Sequence, residues 1–221
     1  MKLRHEYKHQ INLADVYGLR TRLSAVAKHD SNAGEDGTYF VKSLYFDNYM
    51  DKALREKIDG VNKREKFRIR YYGTDTSFIR LEKKSKINDL CNKESCRVTE
   101  EECQKIIDGD TRFMKDSEHE LMRELYAKMN YQLLRPKCIV AYTRECFVYR
   151  YGNVRVTLDM NICGSNHIKE FFNPDLPFLQ TYQRSVLEVK WDKYLPEIIR
   201  DCVLVKSRRS AAFSKYAAIR I

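Results

Sequence analysis

Lys66-Phe67-Arg68-Ile69-Arg70-Tyr71-Tyr72, followed after Gly73-Thr74-Asp75-Thr76-Ser77 by Phe78-Ile79-Arg80-Leu81-Glu82-Lys83-Lys84, is the stretch that decides the fold. Apolar and charged residues alternate in both segments, the period of a β-strand with one face buried. The polar, Gly-containing interval between them predicts an antiparallel hairpin with its turn over residues 73–77. Lys66, Arg68 and Arg70 then share one face of the first strand, and Arg80, Glu82 and Lys84 share one face of the second.

A charged face on one hairpin can simply be wet, but the pattern recurs. Arg4-His5-Glu6-Tyr7-Lys8, Val154-Arg155-Val156-Thr157-Leu158-Asp159 and Val186-Leu187-Glu188-Val189-Lys190-Trp191 alternate in the same way. Strands with Arg or Lys on a shared side predict a barrel lined by cations. Two like charges ~8 Å apart repel by roughly 2 kcal/mol at an effective dielectric of 20. Half a dozen facing one another therefore call for an anion of high charge density.

Around this hairpin the chain reads as α+β. Asn12-Leu13-Ala14-Asp15 caps a helix with Val16, Leu19, Leu23 and Val26 on its buried stripe. Val41 to Phe46 reads as a strand, Met50 to Ile58 as a short helix, Ile87 to Lys93 as a polar link and Lys93 to Val98 as an extended piece. Thr99-Glu100-Glu101-Glu102 and Ser117-Glu118-His119-Glu120 both have the capping-box form and open two further helices. Ile139 to Tyr151 and Asn153 to Ile162 form a second long hairpin, Ser185 to Trp191 a further strand, and Pro196 to Cys202 and Ser210 to Ile219 the last helices. The expected architecture is seven or eight antiparallel strands with inserted helices in one domain, 1–221. Tyr71, Tyr72 and Phe78 read as core aromatics.

Lys and Arg total 41 against 31 acids, a net charge of +10. That excess implies a polyanionic partner: nucleic acid, an anionic membrane or a phosphate-rich small molecule. Nucleic acid is the poorest match, because the informative bases lie inside strands rather than on exposed helices. No apolar run is long enough for a transmembrane helix, and the N-terminus has no signal-peptide core. With seven cysteines and no export signal, reduced thiols and a cytoplasmic location are expected. Cys91, Cys96 and Cys103 lack zinc-site spacing, and the five histidines read as surface or local hydrogen-bonding residues.

The ordered set Glu6-Tyr7-Lys8, Ser43-Leu44-Tyr45-Phe46-Asp47-Asn48, Phe67-Arg68-Ile69-Arg70-Tyr71-Tyr72-Gly73, Leu81-Glu82-Lys83-Lys84, Tyr142-Thr143-Arg144, Val154 to Asp159, Leu187-Glu188-Val189-Lys190 and Phe213-Ser214-Lys215-Tyr216 resembles the VTC (vacuolar transporter chaperone) domain. That domain is the polyphosphate-polymerase branch of the triphosphate tunnel metalloenzyme, or CYTH-like, superfamily. The resemblance implies an eight-stranded antiparallel β-barrel, the triphosphate tunnel, with flanking helices. It implies transfer of the γ-phosphate of ATP to a growing inorganic polyphosphate chain, with Mn2+ or Mg2+ held by Glu188. It casts Arg68, Arg70, Lys84, Arg144 and Lys215 as catalytic, and Lys8, Lys93, Arg155, Lys190 and Ser214 as substrate-binding. Many tunnel enzymes carry an E-x-E-x-K element where this chain has Arg4-His5-Glu6-Tyr7-Lys8, which favours the VTC branch over the triphosphatases. Hydrolysis of triphosphate or nucleoside triphosphates, and non-catalytic polyphosphate binding, remain the alternatives. Eukaryotic relatives carry membrane segments that this chain lacks, so a membrane partner is compatible with the resemblance. Glu82 and Asp159 are expected to pair with neighbouring bases.

Overall fold

The computed structural model describes residues 4–87, 90–180, 182–205 and 213–220. Among the described residues, nine strands and six α-helices follow one another: β1 (His5–Ile11), α1 (Leu13–Ser24), β2 (Lys28–His29), β3 (Thr38–Asp47), α2 (Lys52–Ile58), β4 (Arg64–Tyr72), β5 (Asp75–Ile87), β6 (Leu90–Val98), α3 (Glu100–Asp108), α4 (Glu120–Tyr131), β7 (Arg135–Tyr149), β8 (Val154–Ser165), β9 (Ser185–Trp191), α5 (Glu197–Cys202) and α6 (Lys215–Arg220). The hydrogen-bonded strand order is β1-β9-β8-β7-β3-β4-β5-β6, with the short β2 beside β7. Among the described residues β1–β9, β2–β7, β3–β4, β4–β5, β5–β6 and β8–β9 all pair antiparallel. The fold is thus the expected eight principal strands with flanking helices. Hydrogen bonding among the described residues does not close it into a ring, because β1 and β6 end the order.

The chain divides into two compact units. Unit 1 comprises residues 1–40, 142–162 and 182–214, and unit 2 comprises 41–141, 163–181 and 215–221. Strands β3, β7 and β8 contribute residues to both. Unit 1 has its own core, in which Val16, Leu19 and Leu23 of α1 pack with Phe147, Val156, Leu158, Leu187 and Val189. The helix starts where Asn12 and Asp15 bond each other's backbone N–H groups reciprocally, each at 2.9 Å. It ends at Ser24, so Val26 lies beyond the helix it was expected to join.

Unit 2 is built on the opening hairpin. Phe67, Ile69 and Tyr71 of β4, Leu44 and Phe46 of β3 and Ile79 and Leu81 of β5 form one apolar face. Cys103, Ile106 and Ile107 of α3 and Leu121, Met122, Leu125 and Met129 of α4 cover it. Burying one face so completely fixes the register, since a one-residue slip would turn Arg68 and Arg70 into this core.

Several local expectations change. The hairpin turn is two residues, Gly73–Thr74, because Tyr72 pairs with Asp75. Gly73 takes φ +58°, the conformation a tight hairpin turn demands. The expected link over residues 87–93 is instead the end of β5 and the start of β6, paired through Ile87 and Leu90. Thr99 and Glu102 form the predicted capping box, but the second one does not form. There His119 is the N-cap without a side-chain bond, and Ser117 Oγ instead accepts the His119 N–H at 3.2 Å. Phe78 is 44% exposed rather than buried, since it shares the charged face. Helix α6 begins at Lys215, and the expected residues 210–212 lie outside the described ones. The six described cysteines, Cys96, Cys103, Cys138, Cys146, Cys163 and Cys202, are free thiols. Among the described residues no helix is long and apolar enough to cross a membrane.

Candidate phosphate and metal sites

The face of β4–β6 opposite the unit 2 core is laid out by register in three rows. Lys66, Lys84 and Lys93 form one; Arg68, Glu82 and Ser95 the next; Arg70, Arg80 and Arg97 the third. On the β3 side, Tyr45 lies beside Arg68 and Ser43 beside Arg70. Seven bases thus surround one carboxylate, Glu82, in a patch with rows roughly 7 Å apart and strands about 4.8 Å apart.

The middle of this patch is buried. Arg68 and Arg70 are 6% and 5% exposed, and Glu82 is 1% exposed. Arg68 Nε donates to Glu82 Oε2 at 2.7 Å, its Nη1 donates to the Tyr45 hydroxyl at 3.0 Å, and Arg70 Nε donates to Ser43 Oγ at 2.9 Å. Lys93, itself half exposed, reaches the other Glu82 oxygen. Burial pushes the Glu82 carboxyl up, but Arg68, Arg70 and Lys93 outweigh it and hold the group well below the usual carboxylate range. Burial likewise raises the Tyr45 phenol, yet Arg68, Lys66 and Arg70 together bring it down to about 8. The bases around Tyr45 thus outweigh the effect of burial on its phenol.

Tyr45 also ties the patch to the C-terminal helix. Its ring stacks on Tyr216 of α6 with centroids 5.2 Å apart. The Tyr216 hydroxyl donates to Asp47 Oδ2 at 2.7 Å, and Asp47 accepts the Ala53 and Leu54 N–H groups at the start of α2. Ser214 and Lys215 sit immediately before Tyr216, and Ser214 is buried. Arg220, at the other end of α6, donates to Asp51 at 2.9 Å.

Unit 1 has a different charge pattern. Lys8 of β1 lies directly across from Glu188 of β9, and Glu6 across from Lys190. Two E-x-K sequences running in opposite directions therefore form a four-charge ring. Lys8 contacts Glu6 and lies 3.7 Å from Glu188; Lys190 contacts Glu188 and lies 3.5 Å from Glu6. Burial lowers the Lys8 ammonium's pKa, but Glu188 and Glu6 more than reverse this and raise it. On β8, Arg155 faces Lys190 and Thr157 faces Glu188. Arg144 makes a two-pronged contact with the fully buried Asp159, at 2.6 and 2.8 Å. Arg155 bonds Asp30, the Tyr39 hydroxyl at 3.2 Å and Cys146 Sγ at 3.0 Å. Here acids nearly balance bases, whereas in unit 2 bases prevail. The expected pairing of Glu82 and Asp159 with neighbouring bases is what the structure shows.

The sequence-predicted residues thus fall into two sets. Arg68, Arg70, Lys84 and Lys93 share the cationic face of unit 2, with Lys215 at the head of α6 in the same unit, whereas Ser214 falls in unit 1. Lys8, Arg144, Arg155, Glu188 and Lys190 belong to unit 1. Tyr45, Ser43 and Thr157 were not singled out from sequence. Tyr45 shares the parity of Ser43 within a run of buried residues, so only the register exposes its neighbours. Glu188 is the residue the resemblance assigns to a divalent metal. Mg2+ and Mn2+ take hard oxygen donors, commonly one or two carboxylates completed by substrate phosphates. Glu188 is a buried carboxylate with Glu6 beside its lysines, and the Thr157 hydroxyl across from it is buried without a partner. Among the described residues no cluster of three or more His, Cys, Asp or Glu side chains could hold a metal alone. This donor set fits a cation that arrives with phosphate oxygens, rather than one caged by protein.

The chain belongs to the VTC domain family, which it matches over residues 3–220. Among solved structures it is similar to a Bacillus halodurans protein described as a "putative adenylate cyclase", at 13% identity and a TM-score of 0.53, with 86% of this chain and 80% of that chain covered. It is also similar to the PH1012 protein of Pyrococcus horikoshii, at 11% identity and a TM-score of 0.46, with 92% and 85% covered. The first likeness shows a shared fold. No curated protein matches the sequence.

Proposed function

We propose that this protein is a metal-dependent phosphotransferase that moves the γ-phosphate of ATP onto an inorganic polyphosphate chain, acting as one VTC domain over residues 1–221. The observation that carries the reading is the imbalance on the β4–β6 face: seven bases to one buried carboxylate, with two of the arginines more than nine-tenths buried. Such a face is stabilised by an anion with several charges in a row, which describes a phosphate chain.

Phosphoryl transfer asks for positioning and charge neutralisation, with no covalent protein nucleophile. A terminal oxygen of the chain attacks the γ-phosphorus of ATP, the bond to the β,γ-bridging oxygen breaks, and ADP leaves with that electron pair. The attacking oxygen is already anionic, so no general base is required. Arg68 and Arg70 clamp phosphate oxygens through their planar forks. Glu82 keeps the Arg68 fork oriented, and Lys84, Lys93 and Lys215 supply further positive charge. In unit 1, taken by itself, the bases Lys8, Arg144, Arg155 and Lys190 are held in place by their carboxylate partners. Glu188 would hold Mn2+ or Mg2+, with Thr157 beside it; the cation supplies Lewis-acid neutralisation of phosphate oxygens.

The test is incubation with ATP and each metal in turn. A ladder of phosphate chains that disappears in Arg68→Ala and Glu188→Ala supports the proposal. Phosphate release without chain growth would make the protein a hydrolase, and tight polyphosphate binding without ATP consumption would make it a binding module.

A further inference from the structure

The junction of β7 and β8, the segment after β9 and Arg4 meet at one edge of unit 1. The Asp192 N–H donates to the Gly152 carbonyl at 3.0 Å, and Asn153 Nδ2 donates to the Asp192 carboxylate at 3.2 Å. Gly152 has φ +73°, and a Cβ on it would run into the Tyr194 carbonyl and the Pro196 ring, so turn and loop lie flush. Lys28 of β2 joins this edge by pairing with Val148.

Aromatic and basic side chains dominate what the edge shows to water. Tyr151 and Tyr194 are each 56% exposed, and Lys28, Arg150 and Lys193 are exposed with them. The acids close by in the chain are already engaged. Arg4 holds Asp192 at 3.0 Å, and Arg200 holds Glu197 at 2.6 Å. Three bases beside two half-exposed phenols are complementary to a negatively charged surface. Tyrosine takes such a place at membrane–water interfaces, with its ring at headgroup level and its hydroxyl wet. Each Lys or Arg beside an anionic leaflet adds attraction. Nucleobases stack on open aromatic faces, whereas the Arg150 guanidinium already lies 5.3 Å from the centre of the Tyr151 ring. A second copy of the chain would bring the same bases against one another.

We propose that this edge of unit 1 docks on an anionic lipid bilayer, with Tyr151 and Tyr194 among the headgroups and Lys28, Arg150 and Lys193 against lipid phosphates. None of these residues belongs to the phosphate and metal sites described above, so the proposal stands apart from the phosphotransfer reading.

The test is co-sedimentation of the whole chain with phosphatidylcholine vesicles, with and without phosphatidylserine. Wild type is expected to bind the anionic vesicles, to release them as salt is raised, and to leave pure phosphatidylcholine largely unbound. One base near an anionic surface corresponds to about fivefold in affinity, so Arg150→Gln/Lys193→Gln is expected to lose about 25-fold. Tyr151→Ser/Tyr194→Ser is expected to bind more weakly yet keep its preference for anionic lipid. All four positions are solvent-facing, and a thermal melt matching wild type shows that each variant is folded. Wild type that ignores anionic vesicles, or a folded charge variant that binds them as wild type does, overturns the proposal. So does binding of single-stranded oligothymidine or polyglutamate, lost in the charge variant, with vesicles left unbound. A concentration-dependent dimer abolished by the tyrosine variant, again without vesicle binding, would make the edge a self-association surface and overturn it too.

Discussion

Replacing Glu82 by Gln removes the single carboxylate of the β4–β6 face while keeping its shape. The carboxylate is 1% exposed and touches Arg68, whose side chain is itself 7% exposed. Removing one partner of such a buried pair typically costs about 3–5 kcal/mol, because the other charge stays buried and uncompensated. Lys93 is 51% exposed, so its loss of a partner adds little. The low end, about 3 kcal/mol, corresponds to a melting point roughly 6–12 °C lower for a chain of this size. The sign with pH follows from the depressed Glu82 pKa. Its contribution is fully present above the unfolded carboxylate value, about 4.3, and is lost only as the pH falls through the lower folded value. At neutral pH the whole difference between wild type and variant is therefore visible. Tripolyphosphate at about 100 times its dissociation constant adds about 2.7 kcal/mol to the wild type. The variant, with more uncompensated positive charge, is expected to gain more than that. Thermal melts with and without tripolyphosphate check both statements. A Glu82→Gln protein that melts like wild type, or gains no more from the anion than wild type does, would refute the view of this face as an anion site held together by one carboxylate.

Other outcomes follow from the same geometry. In an absorbance titration one phenol, Tyr45, ionises near pH 8, and tripolyphosphate shifts it upward; Tyr45→Phe removes the transition. Because that pKa is depressed in the fold, wild type gains stability over Tyr45→Phe as pH rises from 8 toward 10, and loses that advantage as pH falls through 8. Thr157→Val leaves melting behaviour near wild type but weakens Mn2+ binding in the presence of tripolyphosphate, by roughly tenfold as judged by the manganese resonance signal, and Thr157→Ser restores it. Tyr216→Phe removes the bond to Asp47, costs about 1.5–3 kcal/mol as a hydrogen bond to a charged group, and raises the proteolytic sensitivity of α6.

The face assignment was legible in the sequence because strand period is two and Phe67, Ile69 and Leu81 are too apolar to sit anywhere but inside. The pairing was not. Whether Arg68 meets Glu82 or Lys84 depends on the length of the turn, and Asp75-Thr76-Ser77 looks like turn residues although it begins β5. For the same reason the row of Arg70, Arg80 and Arg97 could not be read, since Arg97 lies two strands from Arg70 and its partner depends on a second turn. Capping signals succeeded at Asn12 and Thr99. They misled at Ser117, where the same residue types satisfy a local turn. Nor could the alternation on β1, β8 and β9 reveal that unit 1 balances its bases with Glu6, Asp159 and Glu188. A strand pattern gives the side of a residue, not its neighbour on another strand.

Crystals grown with tripolyphosphate and Mn2+ would test the central claim most directly. Phosphorus atoms lying over Arg68 and Arg70 are the predicted result. An anion bound elsewhere on the surface, with the Arg68–Glu82 contact undisturbed and no ligand on this face, would contradict it.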